Sequence, residues 1–85
     1  MYEIQWKAKA MKQRARIGSK ETRDAIYASV QSLQGFPEVL QVKKLKNHEH
    51  SYRLRVGRYR VFFEADGEVR IIRIEEVKKR DDRTY

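Results

Sequence analysis

A chain of 85 residues, 40% of them hydrophobic, holds one small domain (1–85) with a thin core and no room for a second. It has no cysteine, which excludes disulfides, thiolate metal sites and a cysteine nucleophile. Its apolar runs are too short for a membrane span or a secretory leader, so a cytoplasmic protein is expected, and a formal charge of +8 points to an anionic partner or a heavily solvated surface.

Tyr2-Glu3-Ile4-Gln5-Trp6 alternates apolar and polar residues and reads as a first strand, with Trp6 in its apolar set. A short helix follows, carrying Ala8, Met11 and Ala15 at spacings of three and four, and Gly18 closes it. Ser19 is placed to cap a second helix, with Glu21 near its N-terminal dipole. Ile26, Val30 and Leu33 form the stripe this helix buries, and Gly35-Phe36-Pro37 ends it. The period then changes from helical to alternating. Val39–Lys46 reads as a strand, followed by the polar loop Asn47–Ser51. Tyr52–Val56 and Tyr59–Glu64 alternate around the turn Gly57-Arg58, and Asp66-Gly67 is a second turn signal. Val69–Val77 is expected as the last strand, with a polar tail after it. The predicted fold is α+β: an N-terminal strand, a helical hairpin, then an antiparallel meander with the helices on one face.

The charge is uneven. Residues 43–60 carry Lys43, Lys44, Lys46, Arg53, Arg55, Arg58 and Arg60 against the single acid Glu49. Alternation sets Arg53 and Arg55 on the sheet face opposite Tyr52, Leu54 and Val56, and Arg60 can join them across the turn. Three guanidiniums on one face repel one another unless an anion sits there, and a phosphodiester suits their planar forks. Cross-strand pairing with Glu64, Glu75 or Glu76 is the structural alternative. The tail adds Lys79, Arg80, Arg83 and Tyr85. If the tail folds beside the arginines, neighbouring cations favour the Tyr85 phenolate and make it a proton acceptor; otherwise it is a frayed end. His48 and His50, two apart in a loop, are placed either as a proton shuttle or as exposed residues without a role. No further metal ligand has suitable spacing nearby, so neither a metal nor a cofactor is expected. Glycine-rich phosphate loops and serine nucleophile elbows are absent, and Asp81-Asp82 is an isolated acidic pair in a basic tail with no cluster to hold Mg²⁺, so phosphodiester cleavage would be metal-independent.

The run Leu45-Lys46…Tyr52-Arg53-Leu54-Arg55-Val56-Gly57-Arg58-Tyr59-Arg60-Val61, with the order of elements around it, resembles the core of the RelE/ParE superfamily of toxins. The likeness covers essentially the whole chain. It implies the toxin of a type II toxin–antitoxin module, neutralised by a cognate antitoxin with an acidic segment. RelE-like members cleave mRNA in the ribosomal A site, so the 70S ribosome and mRNA become expected partners; ParE-like members inhibit DNA gyrase and are not nucleases. Carried over by motif, Arg53 and Arg55 replace two sheet lysines, Arg60 matches the arginine after the turn, Lys79 or Arg80 the tail arginine, and Tyr85 the tail tyrosine. ParE-like toxins generally lack this full set, so the resemblance favours the RelE branch. Lys43, Lys44, Lys46, Arg58 and Arg83 are expected to contact RNA or the ribosome. Arginine in place of lysine at 53 and 55 keeps charge but removes a potential proton acceptor, which moves the general-base role toward Tyr85, with His48 or His50 in reserve.

Overall fold

The alternating segment Glu3–Trp6 forms strand β1 of the structure, a computed structural model that describes residues 1–80. Helices α1 (Ala8–Ala15) and α2 (Lys20–Gln31) follow as a hairpin, and a 3₁₀ turn, Ser32–Gly35, extends α2. Strands β2 (Val42–Lys44), β3 (Tyr52–Val56), β4 (Tyr59–Asp66) and β5 (Ile71–Lys79) complete the order. The five strands form one sheet, β1-β5-β4-β3-β2, antiparallel except for the β1–β5 pair.

Local chemistry accounts for most boundaries. Ser19 accepts the Thr22 N–H at 3.2 Å, satisfying one of the free donors at the start of α2. Gly57 has φ 56°, a left-handed value that glycine adopts without strain, and it makes the tight β3–β4 turn. The core lies between the sheet and the helical hairpin. Ile26, Val30 and Leu33 meet Leu54, Val61, Phe63, Ile72, Ile74 and Val77, all at most 5% exposed. Each such large side chain contributes about 1.5–3 kcal/mol by leaving water. Phe36 joins the core edge-on to Tyr2, Tyr52 and Phe63.

Three expectations are corrected. The strand foreseen at Val39–Lys46 is only Val42–Lys44, because Gln41 (φ 69°) and Asn47 (φ 52°) take left-handed backbone conformations that break the extended run. The last strand is Ile71–Lys79 instead of Val69–Val77; Val69 stays in the turn, 59% exposed, beside Arg70 at φ 60°. In α1 the buried residue is Ala10, whereas Met11 is 56% exposed. The inward stripe runs through Ala10, Gln13, Arg14 and Ile17, and its polar members hide the period. They are used: Gln13 accepts the Val77 N–H at 2.7 Å, and Arg14 donates to the Arg23 carbonyl while lying over Trp6 and Tyr27.

Candidate nucleic-acid interface

The sheet face turned away from the helices carries two cross-strand rows. Register places Lys43, Arg53, Phe62 and Glu76 in one, and Arg55, Arg60 and Lys78 in the next. Arg55 and Arg60 are direct partners across the two-residue turn, so their guanidiniums start from adjacent backbone positions. The foreseen clustering of Arg53, Arg55 and Arg60 on one face is therefore present, with Lys43 and Lys78 at its flanks.

A bulge decides what the last strand contributes. Phe62 pairs with Glu76 but Phe63 pairs with Ile74, so Glu75 is an extra residue in β5. Beyond it the parity of the strand inverts. Val77 and Lys79 fall on the helix side, Glu76 and Lys78 on the open side. Lys79, expected among the catalytic cations, instead pairs with Tyr59 and lines a cleft with Glu21, Thr22 and Ala25 of α2. Lys78 takes the position opposite Arg60, which simple alternation from Ile74 does not show. Arg80 follows β5, donates its N–H to the Arg58 carbonyl at 2.6 Å and adds to the positive field at Arg53. Lys44, paired with Tyr52, points to the helix side of the sheet edge, and Lys46 is exposed in the loop. Arg83 and Tyr85 lie outside the described residues.

The arginines are short of partners. The Nε atoms of both Arg53 and Arg60 are buried and have no hydrogen-bond partner among the described residues. The Arg53 pKa is lowered, first by burial and then by the charges of Arg55, Arg60 and Arg80. The acids that might have paired with these arginines are engaged elsewhere. Glu75 binds Lys7 at 3.3 Å, Glu64 accepts the Ser51 N–H at 3.0 Å, and Glu76 binds His50 at 2.7 Å and Lys9 at 3.1 Å. Unsatisfied donors and mutual repulsion together make a surface that gains from an anion with several acceptor oxygens, such as a phosphodiester.

The loop 45–51 covers the other half of this face. His50, set down as a shuttle or an exposed loop residue, is 9% exposed. Its Nε2 lies 2.7 Å from Glu76, and its Nδ1 3.6 Å from Glu64. The His50 hydrogen bond is the main force holding Glu76 at a pKa of about 2, aided by Lys9 and opposed by burial. With both nitrogens facing carboxylates inside the fold, His50 is a latch for the loop and no longer a free shuttle. His48 is exposed, and its ring stacks on Phe62 at 5.0 Å and 16°. Phe62, only 4% exposed although on the open face, also meets the Arg60 guanidinium at 5.8 Å. Glu49, His50 and Glu76 bring potential metal-ligand atoms within 4.8 Å of one another, a cluster the chain spacing did not reveal. Both oxygens of Glu76 are already used there, one by His50 and the other by Lys9. Among the described residues, no helix is long and apolar enough to cross a membrane.

Residues 4–83 match the family model for the ParE toxin of the type II toxin–antitoxin system parDE. No curated protein matches the chain. Among solved structures, the fold is similar to that of the toxin–antitoxin complex RelBE2 from Mycobacterium tuberculosis, with a TM-score of 0.78 at 21% identity over 93% of this chain and 98% of that one. The archaeal RelE–RelB complex from Pyrococcus horikoshii OT3 gives 0.78 at 23% identity, over 95% and 97%. The isolated RelE toxin of Escherichia coli gives 0.80 at 16% identity, over 99% and 89%.

Proposed function

The chain belongs to the ParE toxin family of type II toxin–antitoxin systems, within the RelE/ParE superfamily, and from that premise we propose that it is a ribosome-dependent, metal-independent endoribonuclease of the RelE kind. The observation that carries this reading is the cluster of Arg53, Arg55 and Arg60 on an open sheet face, where two Nε donors have no hydrogen-bond partner among the described residues. A phosphodiester of mRNA in the ribosomal A site relieves the mutual repulsion of these guanidiniums and offers acceptors to their N–H groups that reach the surface.

In this mechanism the 2′-OH of an mRNA nucleotide attacks its own 3′ phosphorus. The P–O bond to the next nucleotide breaks, leaving a 2′,3′-cyclic phosphate, and the departing 5′ oxygen takes a proton from water to become a free 5′-OH. Arg60, with Arg53 or Arg55, stabilises the charge gathering on the phosphorane oxygens. Tyr85, which lies outside the described residues, takes the 2′-OH proton by the family resemblance, and Arg80 holds phosphate beside Arg53. Lys79, set on the helix side, faces away from the reacting phosphate and takes no part in this step. Lys43, Lys44, Lys46, Arg58 and Arg83 add the sequence-independent attraction typical of RNA contacts. Since no described residue here is a strong base, positioning of the message by the ribosome supplies much of the rate. The regulatory partner is an antitoxin with an acidic segment that lies over this basic face. In the complexes from M. tuberculosis and P. horikoshii, the related toxins are bound to their own antitoxins.

One observation favours a second reading. The matching family model is that of the ParE toxin, and by the same resemblance ParE-like members inhibit DNA gyrase without any hydrolysis. Induction of the chain in growing cells separates the two. Arrest of amino-acid incorporation within minutes, with the DNA-damage response silent, supports the nuclease. Continued protein synthesis with the damage response switched on supports gyrase inhibition instead.

A further inference from the structure

His48 has one ring face against Phe62 and is otherwise exposed, at the border between the arginine rows and the loop. Nothing in the chemistry above uses it. Its position is fixed on three sides. The His50 N–H donates to His48 Nδ1 at 2.9 Å. His50 is itself tied to Glu76 at 2.7 Å, and the neighbouring Ser51 N–H donates to Glu64 at 3.0 Å. The Phe62 ring beneath it is shared with the Arg60 guanidinium.

The hydrogen bond also selects a tautomer. A nitrogen that accepts carries no proton, so with Nδ1 accepting, the neutral imidazole keeps its hydrogen on Nε2. The lone pair that a proton acceptor needs is spent on the His50 N–H. What His48 offers outward is a flat π face and an N–H donor, the pair of features that single-stranded nucleic acid binders present to an unstacked base.

We propose that His48 is a nucleobase platform: a base of the RNA strand whose phosphate lies on Arg53, Arg55 and Arg60 stacks on the outer face of the His48 ring, while Nε2–H, in the ring plane, donates to a ribose or phosphate oxygen at the ring's edge. The proposal rests on the nucleic-acid reading of the arginine face and adds to it a subsite one aromatic ring away from Arg60. It makes His48 a binding residue that favours strands bearing a base at that position. Preformed placement by the loop latch means that the ring is not ordered at the cost of binding.

The test is fluorescence anisotropy at low salt with a short labelled single-stranded RNA and its base-free ribose–phosphate counterpart. Wild-type protein is expected to bind the RNA about tenfold more tightly than the base-free strand. His48→Asn keeps an acceptor for the His50 N–H but has no ring, and it is expected to lose that preference while binding the base-free strand unchanged. His48→Phe keeps the ring without the acceptor and is expected to retain most of it. Equal wild-type binding of both strands overturns the platform and leaves the anionic reading of the arginines standing. Retention of the preference by His48→Asn with loss in His48→Phe also overturns it, because the residue then acts by positioning the loop. Failure of wild-type protein to bind either strand overturns the nucleic-acid reading, and the platform with it.

Discussion

The open face of the sheet has two halves that handle charge in opposite ways. In the histidine half, Glu76 meets His50 and Lys9, Glu64 receives the Ser51 N–H, and the loop 45–51 closes over Phe62. In the arginine half, a few residues along the same strands, Arg53 and Arg60 bury Nε donors with no partner among the described residues. The first half has the signature of structure, since its charges are paired inside the fold. The second retains an electrostatic cost that an external anion relieves, and such a cost is characteristic of a binding site.

The largest expected break in that comparison comes from the arginine half. Arg53→Met should lower cleavage by roughly 10²–10³-fold, the usual effect of removing one donor to a developing anion. Its melting temperature should stay level or rise, because a repelled, partly buried cation has gone. A clear fall in melting temperature would mean that Arg53 is held by internal bonds. The mirror experiment is Glu76→Ala. Leaving His50 without its buried partner should destabilise the protein by about 3 kcal/mol, measured by denaturant unfolding.

Acid should distinguish the halves more gently. Glu76 has a folded pKa of about 2, below its ordinary 4.5, so its contribution is complete above about 4.5 and is lost as the pH falls toward 2. The melting temperature should therefore drop across that window, and Glu76→Gln should flatten the drop. The smallest effect concerns the bulge. Lys78→Ala should weaken RNA binding and reduce the slope of log affinity against log salt by about one, whereas Lys79→Ala should leave the slope nearly unchanged. Equal effects would mean that the parity switch at Glu75 does not sort these lysines functionally.

How far the sequence could be read follows from which forces are local. Ser19, the Ile26/Val30/Leu33 stripe and the Gly57-Arg58 turn act within a few residues, so their elements were legible, as was the meeting of Arg55 with Arg60. The Glu75 bulge was not. It leaves the residue types of β5 unchanged while exchanging the faces of Lys78 and Lys79, and its accompanying bond to Gln13 spans 64 positions. His50 was misjudged for a related reason. A histidine in a run of polar residues looks exposed until Glu76, 26 positions away, is folded beside it. The arginine cluster was legible because strand alternation and one tight turn suffice to build it. The His48–Phe62 stack needed the loop to fold back over the sheet, and no periodicity encodes that.

The most direct test is primer extension on an mRNA in a reconstituted translation reaction, with wild-type protein or Arg60→Ala and with ribosomes present or absent. Breaks within the coding frame that require both ribosomes and Arg60 are the predicted result. A message left intact by wild-type protein on ribosomes, or cut equally well by Arg60→Ala, would contradict the assignment of the arginine face as a site of phosphodiester cleavage.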